Sequence, residues 1–243
     1  MLKRKMILLF AFVAISTSII AQVRPGLKVG YNLSGVMATY LGDKSPEELK
    51  KTAGDPGNFH MKSGFQAGLI ADCPINDVLA IQPGARFALQ GFADKYTSNG
   101  DVIRTFSLYY LQVPVNVQFR WNVYEDTNVL FQAGPYVGVG LFGRQSFNRK
   151  GASQDLTDKQ KKITFGNEND IQNGFDYGIG AGVGIEFYRF QLMLNYDFGL
   201  NQPTFFKKDA KSASYHVDIR NHNFSVTLAV IFGRRDPLQN QKD

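Results

Sequence analysis

The sequence predicts an all-β chain closed into an eight-stranded antiparallel transmembrane up-and-down β-barrel. Three observations predict it: long segments of strict apolar–polar alternation, connections that alternate between long and short, and apolar strand faces without a charge along them. The chain has 243 residues, with 24 Gly, 20 Phe and 11 Tyr. Aromatic content this high excludes a disordered chain, and the length suits one large barrel.

Residues 1–21 read as a secretory signal peptide. Lys3, Arg4 and Lys5 form a basic start, an apolar run follows to Ile20, and the small Ala21 precedes Gln22. Cleavage there leaves 22–232 as the barrel and 233–243 as a polar periplasmic tail. Gln22 stands where a lipid-anchored protein would carry Cys. Lys and Arg number 27 against 21 Asp and Glu, and without the three basic residues of the signal the net charge falls from +6 to +3. That field is too weak to argue for nucleic acid. A single Cys excludes an intrachain disulfide and a Cys-based metal cluster.

The strands follow in order. Leu27 to Leu33 alternates with Lys28, Gly30 and Asn32, Phe65 to Ala71 with Gln66 and Gly68, and Leu79 to Leu89 with Gln82, Gly84 and Arg86. Tyr109 to Trp121 sets Leu111, Val113, Val115, Val117 and Phe119 against Gln112, Asn116, Gln118 and Arg120. Val129 to Phe142 and Phe175 to Phe187 repeat the pattern with Gly-rich second faces, the latter through Gly178, Gly180, Gly182 and Gly184. Phe190 to Leu200 and Phe224 to Phe232 complete the eight. The gaps between them run 37–63, 73–77, 92–105, 122–128, 143–174, 188–189 and 201–222, long and short in turn. Long external loops opposite short periplasmic turns are the pattern of barrels that cross an outer membrane. Phe119, Trp121, Phe187, Phe190 and Phe232 gather near the turns, and Phe87, Tyr109, Phe175, Tyr177, Tyr196 and Phe198 toward the loops, as two interfacial girdles require.

A soluble barrel would turn its polar faces to water and would need Lys, Glu and Thr on them. These faces instead carry Gly and Gln, which suit a crowded interior. The apolar faces therefore meet lipid. The interior is expected to hold a polar network of Lys28, Asp72, Arg86, Arg120, Asp176, Glu186 and Asp197, three basic residues against four acidic. Arg86 and Arg120 are expected to pair with Glu186 or Asp197, since a buried charge without a partner is costly. Eight strands leave an interior that side chains fill, which argues for a plug over a channel.

Other constellations carry little chemistry. Gly138, Gly140 and Gly143 spell GxGxxG without a βαβ unit around it. His60, His216 and His222 fall in the first and last long loops, and Asp218 lies two residues beyond His216, but no Ser is placed beside them by spacing. No HExxH or His–Cys cluster exists, so no catalytic, cofactor or metal residues are assigned. Cys73 is expected in the first short turn as an unpaired periplasmic thiol. The loop 143–174 is basic at Arg144, Arg149, Lys150, Lys159, Lys161 and Lys162, and the last long loop adds Lys207, Lys208 and Lys211. One or two helical turns are expected over 155–162. The basic loops are expected to face anionic lipopolysaccharide, with a docking surface for another surface protein as the alternative.

Several segments, taken in order, resemble a known family. Behind the Ala21-Gln22 junction, Gly26-Leu27-Lys28-Val29-Gly30-Tyr31-Asn32-Leu33-Ser34 resembles the first strand of the PorT-like outer-membrane β-barrel family of Bacteroidota. Tyr109-Tyr110-Leu111-Gln112-Val113-Pro114-Val115 is similar to that family's YLxIP strand. Gly178-Ile179-Gly180-Ala181-Gly182-Val183-Gly184 and Tyr196-Asp197-Phe198-Gly199-Leu200-Asn201 are similar to its late strands. The resemblance implies an outer-membrane location and a non-enzymatic structural or interaction role, as a component or accessory of protein secretion or envelope assembly. It implies outer-membrane lipid, lipopolysaccharide and envelope or secretion proteins as partners. A small porin-like solute channel is the alternative, and a lipid-modifying barrel enzyme a more distant one.

Overall fold

The computed structural model describes residues 23–41, 58–97, 101–149, 161–165, 174–201 and 216–233. The expected signal peptide over 1–21 and the expected tail beyond Gly233 lie outside them. Nine strands form among the described residues: β1 (Arg24–Leu41), β2 (Asn58–Pro74), β3 (Leu79–Thr97), β4 (Asp101–Tyr124), β5 (Thr127–Arg149), β6 (Lys161–Ile163), β7 (Phe175–Phe187), β8 (Phe190–Gly199) and β9 (His216–Ile231). Eight of them close an antiparallel barrel in which β1 pairs with β9 and β4 with β5. The short β6 adds to β5 at Gly143–Gln145, above the point where β7 has ended.

The stagger of the barrel follows from its register. Stepping across neighbouring strands, Gly26 leads to Ile70, Gly84, Pro114, Tyr136, Gly178, Gly199, Asn221 and back to Val36 on the starting strand. The return lies ten residues further along β1, which is 36 less 26. Eight strands with this shear tilt by about 40° and leave an interior that side chains fill.

The two faces are sorted as a lipid-crossing barrel demands. Leu27, Val29, Phe65, Leu69, Val117, Val183, Ile185, Leu192 and Leu228 point outward and are exposed. Asn32, Gln66, Gln82, Gln112, Gln118, Gln132, Gln191, Asn195 and Thr227 are buried inside. Outward apolar side chains cost nothing in hydrocarbon, and the closed ladder leaves no sheet edge there.

Several expectations on the connections need correction. β1 runs to Leu41, β2 starts at Asn58 and β9 starts at His216, so His60, His216 and His222 lie in strands rather than in the first and last long loops. The gap over 92–105 is no long loop: β3 and β4 continue to Thr97 and from Asp101. Lys161 and Lys162 are extended in β6 rather than helical, and residues 155–160 lie outside the described part. Cys73 sits near the end of β2 opposite Ile81, two residues before the turn at 75–78. The sequence pattern cuts β3 and β4 short because, beyond the bilayer, a strand no longer needs an apolar outward face.

Candidate functional site

The interior is the candidate site, and it is built in two layers. The first lies toward the turns. Arg24 on β1 donates through Nε at 3.0 Å and Nη2 at 2.5 Å to Asp72 on β2. Arg120 on β4 donates to the other oxygen of Asp72 and, at 2.8 Å, to Gln118 Oε1. Its Nε lies 3.7 Å from Glu186 Oε2 on β7. Glu186 also accepts from Gln191 Nε2 at 2.6 Å and from Asn128 Nδ2 at 3.1 Å. Gln82 Nε2 donates to Gln191 Oε1 at 3.3 Å, and Lys28 Nζ to Gln82 Oε1 at 3.4 Å.

A second cluster sits at mid-barrel. Arg86 Nη2 donates to Asp197 Oδ2 at 2.7 Å and its Nε to Gln112 Oε1 at 2.9 Å. Gln112 Nε2 passes the chain on to Asp176 Oδ2 at 3.2 Å, and Asn223 Nδ2 caps Asp197 at 3.2 Å. The Arg86 guanidinium lies 5.8 Å from the centre of the Tyr136 ring. Together the two clusters take side chains from each of the eight barrel strands. A cavity of about 30 Å³ between Lys28, Gln82, Arg86, Tyr136 and Asp197 has room for little more than a water molecule.

All seven residues expected inside are found there. Arg86 meets Asp197, and Arg120 meets Asp72 and Glu186. Sequence reasoning missed Arg24, which precedes the first alternating residue. With it, four basic side chains (Arg24, Lys28, Arg86 and Arg120) oppose four acidic ones (Asp72, Asp176, Glu186 and Asp197). The Gly ladder of β7 makes room for these large groups. A Cβ on Gly180 would lie 2.5 Å from Asp197 Oδ1, and one on Gly178 would lie 2.7 Å from the Tyr136 ring.

The other layer lies at the loop end and was not foreseen. Val36, Phe92, Phe106, Leu108, Tyr110 and Ile163 form a buried apolar cluster, with Phe165 packed against it. Phe92 and Phe106 stack with centroids 4.7 Å apart, and the rings of Tyr110 and Phe165 lie 5.8 Å apart. Phe165 lies over Gly140, where a Cβ would come within 2.4 Å of its ring. The GxGxxG spacing is thereby explained as room for Gln112, Phe165 and Leu108 above Gly138, Gly140 and Gly143.

The candidates for chemistry do not converge. His60 is exposed, and His222 is half-buried with its ring 6.4 Å from that of Tyr196. The backbone of His216 and Asp218 pairs with Leu41 and Thr39, and their side chains lie outside the described ones. Among the described residues no group of three or more His, Cys, Asp or Glu is arranged to hold a metal. What the interior does physically is tie strands together and fill the space between them.

No sequence among the curated proteins matches the chain. Among solved structures it is similar to Ail, the attachment invasion locus protein of Yersinia pestis, at 14% identity and TM-score 0.39, covering 87% of this chain and 99% of that one. It is similar to the outer membrane protein OprG of Pseudomonas aeruginosa at 10% identity and TM-score 0.40, covering 87% and 96%. It is also similar to the outer membrane protease OmpT of Escherichia coli at 9% identity and TM-score 0.41, covering 86% and 97%. Likenesses this low assign no activity. Residues 16–204 match the family model described as an outer membrane protein beta-barrel domain, and the chain, a closed barrel with lipid-facing apolar walls, belongs to that family.

Proposed function

We propose that this barrel is a non-conducting, non-enzymatic scaffold of the outer membrane that works through its exterior, contacting lipopolysaccharide and an envelope protein. One observation carries the reading: the interior is filled by a charge-balanced network toward the turns and an apolar cluster at the loop end. A barrel filled at both levels has its loops, rim and outer wall left for function. The segment over residues 1–21 delivers the chain across the inner membrane. The PorT-like motifs support a place in protein secretion or envelope assembly.

The solute-channel alternative draws on a mouth of about 300 Å³ at the turn end, lined in part by Arg24, Asn128 and Glu186. Passage beyond it would have to break the Arg24–Asp72–Arg120 bridge.

Cross-linking in intact cells, followed by affinity purification of the chain tagged in an external loop, tests the partner reading. A stoichiometric envelope protein is the expected result. Recovery of the barrel with no partner above background would remove the protein-docking part of the proposal.

A further inference from the structure

Among the described residues, the outer wall changes character just above the loop-side girdle. Tyr109 on β4 and Phe142 on β5 face outward and stack with centroids 4.4 Å apart, with the Phe87 ring 5.8 Å from Tyr109. Such rings mark the level of the lipid headgroups. Two residues further along, about 7 Å toward the outside at strand rise, lies a row of paired positions. Ser107 on β4 pairs with Arg144 on β5, and Arg144 pairs with Lys162 on β6.

The row points outward. Phe106 and Leu108, on either side of Ser107, are buried inside, as are Gly143 and Ile163 beside Arg144 and Lys162. Arg144 and Lys162 are both exposed, and neither has an acidic partner among the described residues. Directly opposed like charges on antiparallel strands destabilise the pairing. The sheet accepts this cost in β6, only three residues long, which is held by three register pairs and by the burial of Ile163 and Phe165. An anion between the two cations would turn the repulsion into attraction. Guanidinium, ammonium and hydroxyl together match the oxygens of a phosphate.

We infer that Ser107, Arg144 and Lys162 form a binding site for the phosphate of a phosphorylated outer-leaflet glycolipid, of the lipopolysaccharide type. The acyl chains of that lipid lie along the wall below, over Tyr109, Leu111 and Phe142. This assignment rests on the outer-membrane setting and stands whether or not a protein partner docks, so the cross-linking result does not decide it.

The test is native mass spectrometry of the full chain in detergent, titrated with phosphorylated lipid A, with its dephosphorylated form, and with inorganic phosphate as competitor. Arg144→Gln/Lys162→Gln is expected to weaken binding of phosphorylated lipid A at least fivefold. Arg144→Lys, which keeps the charge, is expected to bind within that range of the unaltered protein. The dephosphorylated lipid is expected to bind both proteins equally and more weakly. A loss of less than fivefold in the double variant overturns the site. Equal affinity for the dephosphorylated lipid overturns the phosphate reading. Displacement of the lipid by inorganic phosphate at matched concentration overturns the lipid source in favour of a free-phosphate site. Heat-modifiable gel migration confirms that each variant is folded, and Lys162→Gln alone, at the exposed end of the row, serves if the double variant is not.

Discussion

Replacing Arg120 by methionine is expected to destabilise the barrel by about 3–5 kcal/mol, the range for breaking a buried ion pair from one side. The Arg120 side chain has no exposed surface, nor has that of its partner Asp72. Methionine keeps most of the volume, so the loss reports charge rather than a cavity. Asp72 retains Arg24, but Glu186 loses the guanidinium 3.7 Å from it, and the interior is left with an acidic excess. Adding Asp72→Asn restores the balance at three against three. The double variant is therefore expected to be more stable than the sum of the two single losses, by about 1–3 kcal/mol of coupling. Urea unfolding from lipid vesicles measures this, with the single Trp121 at the turn-side girdle as the probe. Strict additivity would mean that the bridge is an incidental contact.

A different outcome is expected at the loop end. Phe165→Ala should leave global stability nearly unchanged and loosen β6. The strand is held by three register pairs and by the burial of Ile163 and Phe165. Losing the aromatic ring removes about 1.5–3 kcal/mol of burial, which shifts the local docking equilibrium tenfold or more. The weakest segment opens alone and the barrel beneath it stays closed. Native-state hydrogen exchange should show this as at least tenfold faster exchange across Gly143–Gln145 and Lys161–Ile163. Gly140→Ala should act in the same direction by forcing the Phe165 ring from its seat. Unchanged exchange in both variants would show that the loop holds β6 by other means.

The transmembrane part of this architecture was legible because lipid and interior ask for opposite residue types at period two. Tyr109 to Trp121 displays this without interruption: Val113, Val115 and Val117 face outward against Gln112, Gln118 and Arg120 inside. The glycines of β7 were legible for the same reason. What could not be read is where the barrel leaves the bilayer. Above Tyr109 the outward residue is Ser107 and the inward ones are Phe106 and Leu108, so the pattern inverts to that of a soluble sheet. The same inversion places Val36, Phe92 and Ile163 inside and Arg144 and Lys162 outside. A search for one continuous phase stops at the inversion and assigns the remainder to loops. The apolar cluster was missed on that account, and with it β6. Arg24 escaped notice because it stands before the first apolar residue of its strand.

Single-channel recording on the purified full chain in planar bilayers tests most directly whether the interior is closed. The unaltered protein is predicted to give no unitary steps in concentrated potassium chloride at any voltage the bilayer withstands. Reproducible steps, with an ion selectivity that changes in Arg86→Ala or Glu186→Ala, would show that the interior is open and make its charged groups the lining of a pore.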